Sequence, residues 1–522
     1  MTDLQPAADA VALAEAAVGR AAGVLAAAGD LDAHQVVAYD LAHAAAGTAA
    51  ARTVLEYGAR GETEARLAAA FVADAMHDVA SRMLGREELF GGGLGDAVAL
   101  TVPWRSPAFL ASLCGEAGPR HLDADFEMVQ DTFRRFADER VRPVAEAVHR
   151  ANADIPEEVI EGLAEIGTFG LSIPAEYGGF SEGGEGEYLA MVVATEELSR
   201  GSLGVAGSLI TRPEILTRAL VKGGTEAQKQ HWLPLLASGE VMNAVAVTEP
   251  DYGSDVAGVK TAARRADDGG WAITGVKTWC TFAARADVFM LLARTGPGEG
   301  HRGLSLFIVP KPRGSGHGFT FTQDGGGRIM GRAIDTLGYR GMHSYEVAFE
   351  DWRVPADAVI GGDDGVGRGF YLQMAGFENG RLQTAARAVG VMQAAYEAAL
   401  AYATERRVFG RALVDYQLTR VKLARMAAII QAARQFAYTV ARLMARGEGA
   451  MEASLVKAYV CRAAEWVTRE AMQVHGGMGY AEEFPVSRYF VDARVLSIFE
   501  GADETLALRV IARRLVEQAA SQ

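Results

Sequence analysis

The hydrophobic period of the chain changes twice, and those two changes limit its architecture more than any other feature. Between about 242 and 360 the runs NAVAVT, GWAITGVKTWCT, DVFMLLART, LSLFIVP and YEVAFEDWRVP are short and separated by glycine, proline and charge. Runs of this kind predict strands. On both sides the period returns to that of a helix. In KLARMAAIIQAARQFAYTVARLM, the residues Leu423, Met426, Ile430, Ala433, Ala437, Val440 and Met444 form one stripe, as on a long helix with a single buried face. A helical region, a β domain and a second helical region therefore follow one another.

The expected boundaries are 121–241 for the first helical domain, 242–360 for the β domain and 361–522 for the C-terminal helical bundle. Residues 1–120 form a further helical extension and linker. Its helices are rich in alanine, and Gly58, Gly61 and Gly85 are expected to end them. FGGGLGDAVALTVPWRSP, 90–107, reads as a linker. In the next domain Pro143 is expected to kink or end a helix.

With 522 residues, half of them hydrophobic, the chain can bury a sizeable core. A formal charge of -15 disfavours a nucleic-acid surface, which needs clustered Lys and Arg. Cys114, Cys280 and Cys461 are far apart and lack metal-ligand spacing, so neither a disulfide framework nor a metal site is expected. This pattern suits a reducing cytoplasm. The N-terminus MTDLQPAADA has no basic segment followed by an apolar one. No uncharged run approaches ~18 apolar residues, so no membrane span is expected.

Five short stretches could carry chemistry. In VTEPDYGSD, Gly253 and Ser254 lie in a turn after a strand, where N–H groups and a hydroxyl can hold phosphate oxygens. In GVKTWCT, Trp279 and Thr281 alternate on one side of a strand and suit a flat heteroaromatic ligand. In ERRVFGRALVDYQ, Arg406, Phe409 and Gln417 surround a break between helices, and an arginine can hold a pyrophosphate. QVHGGMGY offers Gln473, Gly476 and Gly477, where backbone can approach a ligand. SIFEGADET places Glu500 behind Ile498 and Phe499. Each alone also reads as an ordinary turn, sheet face, helix end, loop or helix-start carboxylate. No GxGxxG stands between a strand and a helix, so a Rossmann site is not indicated.

Taken in order, these stretches resemble the acyl-CoA dehydrogenase family. Its pattern holds a TEP-x-x-GSD segment, a W-x-T strand, R-x-x-FG, a QxHGGxGY-like loop and an EG pair after an aromatic. The resemblance covers about residues 125–515. It implies an α+β fold with an N-terminal helical domain, a middle β-barrel-like domain and a C-terminal four-helix bundle, the N-terminal helical extension being additional. It implies FAD as cofactor, an acyl-CoA substrate, electron-transferring flavoprotein as acceptor, and a homodimer or homotetramer with FAD contacts across subunits. Thr248, Gly253 and Ser254 match positions at the flavin and pyrophosphate, and Trp279 and Thr281 the pair flanking the isoalloxazine ring. Arg406, with Phe409 beside it, and Gln417 match groups reaching the neighbouring subunit's FAD. Gln473, Gly476 and Gly477 match a loop near the adenine half. Glu378 and Arg381 match helix positions near the acyl-CoA.

The resemblance makes Glu500 the base that removes the substrate α-proton while the β-hydride passes to flavin N5. Apolar neighbours such as Phe499 would disfavour its charge, which suits a base working near neutrality. The alternative family position for the base falls on Gly380, which cannot act. Ala502 departs from the usual threonine after the EG pair.

The N-terminal segment is similar to the extension of the (2S)-methylsuccinyl-CoA dehydrogenases, a subgroup whose product is mesaconyl-CoA. Such a substrate has a free carboxylate that needs a cation. Arg212 is one candidate; its plainer reading is a surface arginine at a helix end before Pro213. Other readings on the same fold are a dehydrogenase for another short or branched acyl-CoA, a different flavin-dependent reaction, and a DNA-associated role.

Overall fold

The computed structural model describes residues 2–296 and 300–521. The chain divides into two compact units, Thr132–Gly380 and a second made of Met1–Asp131 with Arg381–Gln522.

In the first unit all five predicted strand runs are strands, and three more join them: Ala262–Arg265, Gly318–Thr322 and Arg328–Ile334. These three are more polar, which hides them from a hydrophobicity scan. Val288–Arg294 lies at the centre of one half of the eight-stranded sheet. It pairs in parallel with Asn243–Ala246 and antiparallel with Leu304–Pro310, in the register Met290 to Ile308. Trp271–Thr281 pairs with Ser344–Val354, followed by Arg328–Ile334 and Gly318–Thr322. Leu304–Pro310 branches off the hydrogen-bonded path at Val288–Arg294, and the whole forms the curled middle sheet expected of the fold.

Helices Thr211–Gly223 and Glu226–Ala237 cover this sheet. Leu216, Leu220, Leu233 and Leu236 form one core with Met290, Leu292, Leu306 and Ile308. Strand Val288–Arg294 is therefore buried along nearly its whole length and reads as a continuous apolar run. Pro143 does not end its helix. A π-helical segment, Ala137–Val141, precedes helix Arg142–Ala151, and the proline lies in that helix's first turn, where no intrahelical N–H is needed.

In the second unit the alanine-rich helices Gln5–Ala28, Gln35–Gly58 and Glu62–Met83 pack on one another. The latter two also pack on helix Gln417–Ala445, and Gln35–Gly58 packs on Ala450–His475 as well. Small side chains permit this close approach. A Cβ on Gly58 would lie 2.8 Å from that of Ala68, so this glycine serves a helix crossing and not a helix cap. Gly61 precedes the next helix, whereas Gly85, with φ of 76°, follows a helix end as expected. The expected linker is folded into short turns, Glu87–Phe90, Ala97–Thr101 and Val102–Arg105, anchored by buried Phe90, Leu94 and Ala97.

Helix Gln5–Ala28, 24 residues long, holds an 18-residue window of mean hydropathy 1.5, and by length and composition alone is apolar enough to cross a membrane. Alanine raises that mean while the helix stays two-faced. Ala7, Ala10, Val11, Ala14, Ala17, Val18 and Ala21 are buried, and Glu15 and Arg20 lie on the other side.

Candidate active site

In the unit Thr132–Gly380, strand Trp271–Thr281 shifts register against Ser344–Val354 between Lys277 and Cys280. Trp279 sits in this bulge with φ of 58°. Such a bulge re-aims a side chain. The indole stands 55% exposed and Thr281 is half-buried, while Cys280 between them is buried.

The TEP segment is tied to this strand from within. Buried Lys277 donates to the Val247 carbonyl at 2.8 Å and to Glu249 Oε1 at 2.9 Å. The Thr278 N–H donates to the Thr248 carbonyl at 2.9 Å. Glu249 also accepts from the N–H groups of Lys260 and Thr261, each at 2.8 Å. Burial opposes its charge, but Lys277 and these donors outweigh burial and hold the carboxyl below its ordinary 4.5. Glu249 and Tyr252 exchange backbone hydrogen bonds at 3.1 Å, making the turn that leaves Gly253 and Ser254 exposed. Nothing lies within 4 Å of a Cβ built on Gly253. A ligand can therefore approach this backbone closely.

Arg212 is not a surface residue: it is 5% exposed. Asn243, on the strand leading to the TEP segment, donates to the Arg212 carbonyl at 3.3 Å and helps hold this helix turn against the sheet. The Arg212 guanidinium donates to the Ser208 carbonyl at 3.3 Å and the Thr211 hydroxyl at 3.4 Å. Among the described residues no carboxylate lies within ion-pair distance of it. Arg218, on the same helix, differs: it pairs with Glu187 and with Glu214. Asn379 donates to Glu214 at 2.5 Å, bringing half-buried Glu378, its chain neighbour, to this helix.

In the other unit, Ser497–Asp503 is a closed loop. The Asp503 N–H donates to the Ser497 carbonyl at 3.1 Å, and the Ser497 hydroxyl donates to Glu465 at 2.6 Å. Glu500 lies half-buried at its tip with φ of 54°, and Gly501 follows with φ of 98°. A left-handed glutamate is strained and persists where its surroundings over-determine it. Lys457 donates to the Gly501 carbonyl at 2.5 Å. The Arg387 guanidinium lies 5.6 Å from the Phe499 ring centroid. Among the described residues no hydrogen-bond donor and no cation at ion-pair distance holds the Glu500 carboxylate itself. The loop is fixed and its carboxylate is available.

Arg381 donates to the Ser454 hydroxyl at 3.2 Å, one turn from Lys457 on helix Ala450–His475. Arg381 and the Glu500 loop thus meet one stretch of that helix. Gln473, Gly476 and Gly477 lie at its far end, roughly 24 Å along the axis from Lys457 at the standard rise. Gly476 has φ of 58°, and a Cβ on Gly476 or Gly477 would meet nothing within 4 Å. Gly479 differs, because there a Cβ would lie 2.2 Å from the Met472 carbonyl oxygen.

Tyr402 stacks on His475 at 4.3 Å and brings the segment after Glu405 to the same end. There a two-stranded hairpin, Arg407–Val408 with Arg411–Ala412, holds Phe409 at its tip, 99% exposed. Arg406 and Gln417 are exposed beside it. Within one chain, then, Arg406, Phe409 and Gln417 join the glycine loop, and both lie apart from Glu500. Lys457, Lys277 and Asp503 escaped the sequence reading. Lys277 had one signal, a lone cation in an otherwise uncharged strand.

Three family models match the chain: the acyl-CoA dehydrogenase N-terminal domain over 123–240, the middle domain over 244–352 and the C-terminal domain over 367–516. The chain is 46% identical over 402 residues to (2S)-methylsuccinyl-CoA dehydrogenase from Cereibacter sphaeroides, spanning 77% of this chain and 71% of that protein. It is 33% identical over 397 residues to the mitochondrial short-chain specific acyl-CoA dehydrogenase from Bos taurus, spanning 76% and 91%. The solved structure of butyryl-CoA dehydrogenase from Megasphaera elsdenii superposes with a TM-score of 0.68 at 30% identity, covering 76% of this chain and 98% of that one. A glutaryl-CoA dehydrogenase bound to glutaryl-CoA gives the same TM-score and identity, covering 75% and 95%.

Proposed function

The chain belongs to the acyl-CoA dehydrogenase family, a family of FAD-dependent oxidoreductases acting on CH–CH bonds, and from that premise we propose that it oxidises (2S)-methylsuccinyl-CoA to mesaconyl-CoA. FAD supplies the hydride acceptor. In the unit Thr132–Gly380, exposed Trp279 and the open backbone at Gly253 suit a flat ring and a pyrophosphate, and in the other unit the open glycines at 476 and 477 let a ligand approach the backbone. Exposed Phe409, with Arg406 and Gln417, is the surface on which a second subunit would complete the cofactor site, so the working state is a homo-oligomer.

Glu500 takes the substrate α-proton. Among the described residues no donor holds its carboxylate, and its backbone is pinned through Gly501 and Ser497. A base needs both properties: a lone pair not engaged elsewhere and a fixed direction. As the α-proton leaves, charge moves onto the thioester oxygen, where backbone N–H donors stabilise it.

Buried Arg212, without a carboxylate partner, carries the choice of substrate. A desolvated guanidinium holding only weak neutral acceptors gains much from an incoming carboxylate. In methylsuccinyl-CoA the free carboxylate is bonded to the β-carbon itself, so its cation belongs near the reacting carbons. The 46% identity to the Cereibacter sphaeroides enzyme supports the same substrate. The acceptor proposed for the enzyme is an electron-transferring flavoprotein, and the compartment the cytoplasm.

Anaerobic flavin bleaching by a panel of acyl-CoAs tests the proposal. Methylsuccinyl-CoA should bleach fastest, ahead of butyryl-CoA and glutaryl-CoA, and Glu500→Gln should abolish bleaching while retaining FAD. A chain bleached by butyryl-CoA and not by methylsuccinyl-CoA has another substrate.

A further inference from the structure

Asp503 stands three residues beyond Glu500, and its carboxylate is held by the N-terminal extension. The Tyr39 hydroxyl donates to Asp503 Oδ2 at 2.6 Å, and His43 Nε2 lies 3.2 Å from the same oxygen. Tyr39 and His43 are four residues apart on helix Gln35–Gly58, so both point from one face. Their rings meet edge-on at 4.5 Å. Arg462 closes the group: its Nη1 donates to the Tyr39 hydroxyl at 2.9 Å and lies 3.7 Å from Asp503 Oδ2. His43 is buried and Asp503 nearly so. The His43 and Asp503 side chains are thus largely withdrawn from water, where the Tyr39 bond is stronger, while Arg462 reaches the surface.

Asp503 also supplies the N–H that closes the loop onto the Ser497 carbonyl. Its position therefore sets the base of the loop, while Lys457 sets the tip at Gly501. Glu500, left-handed between them, is held from both ends. Helix Gln35–Gly58 falls outside the segments that the family models match, so this second hold is an addition to the family body.

We propose that Tyr39 and His43 are positioning residues for the reaction: the N-terminal extension aims Glu500 by gripping Asp503. The inference rests on Glu500 being the base. A general base misplaced by a fraction of an ångström keeps its charge and loses its rate. Releasing Asp503 should therefore slow proton abstraction and leave ligand binding unchanged.

The test uses full-length holoenzyme and anaerobic stopped-flow reduction by whichever acyl-CoA bleaches the wild type fastest. The variants are Tyr39→Phe, His43→Gln, Asp503→Asn, the Tyr39→Phe/Asp503→Asn pair, and Glu500→Gln. Tyr39→Phe removes one hydroxyl and keeps the ring, so folding is spared; FAD content and Tm check this. The limiting reduction rate should fall about tenfold in Tyr39→Phe with acyl-CoA Kd unchanged. The double variant should be no slower than Asp503→Asn alone, because both act through one contact. Reduction within about twofold of wild type in both Tyr39→Phe and His43→Gln, or strict additivity in the pair, overturns the inference. A fully active Glu500→Gln removes the base assignment and this inference with it. An inert Glu500→Gln beside an unimpaired Tyr39→Phe removes this inference alone.

Discussion

The Lys457 ammonium donates to the carbonyl oxygen of Gly501 at 2.5 Å, one residue past Glu500. Lys457 is buried, and burial holds it below the ordinary 10.5 despite the nearby carboxylates of Glu500 and Asp503. A cation kept in such a place has a structural task. Lys457→Met removes the charged donor from the part-buried bond to Gly501, at about 1.5–3 kcal/mol of stability. It also frees the loop tip. We expect a lower Tm and a slower flavin-bleaching rate with acyl-CoA affinity retained. Wild-type values for both would show that the carbonyl is satisfied without Lys457.

Arg212 sets the second prediction. Truncation to methionine keeps the volume and removes the charge. A dicarboxylic substrate would lose about 2–5 kcal/mol of binding in the transition state, at least about 30-fold in kcat/KM. Butyryl-CoA, which has no free carboxylate, should be oxidised as well as before or better. Equal effects on methylsuccinyl-CoA and butyryl-CoA would take Arg212 out of substrate selection.

The buried pair of Lys277 and Glu249 underlies the flavin-side turn. Lys277→Met strands a buried carboxylate and should cost about 3–5 kcal/mol. Because Glu249 shapes the turn carrying Gly253 and Ser254, bound FAD per chain should fall as well. Adding Glu249→Gln should recover part of the stability, since the two losses share one interaction. Thermal melts and flavin absorbance measure both.

His43 gives a pH signature. Burial holds its imidazole below the ordinary 6.5, outweighing the opposite pull of Asp503; Arg462 and Arg82 act with burial. The unfolded chain takes up this proton near 6.5 and the native chain only at lower pH. Native stability therefore falls as pH drops from 6.5 towards the folded value. His43→Gln lacks this term. The difference in Tm between wild type and His43→Gln should shift against the wild type across that window and stay level above it. A constant difference would mean that His43 does not titrate with folding.

Much of the site was legible because its residues are local in sequence. The turn at Gly253, the bulge strand at Trp279 and the loop at Glu500 each lie within a few residues, and their order along the chain carries the family resemblance, although each alone reads as ordinary structure. The partners that fix them are distant. Lys457 precedes Gly501 by a full helix, and Tyr39 and Asp503 are 464 positions apart. No periodicity links such residues. Arg212 misled for a related reason: a charged residue before proline at a helix start is usually exposed, and only the sheet behind the helix decides that this one is buried.

The sequence by itself determined the order of helix, sheet and helix, since hydrophobic period reflects backbone geometry. It also determined the chemistry offered at each short motif, since side-chain type does not depend on context. Tertiary structure decided which of those groups are held, which are free and which are buried. It turned the expected linker into folded turns, joined the extension to the bundle, and placed Tyr39 and His43 on Asp503. Burial and contact depend on surfaces that the chain brings together only on folding, and the energies that fix Glu500 come from those contacts.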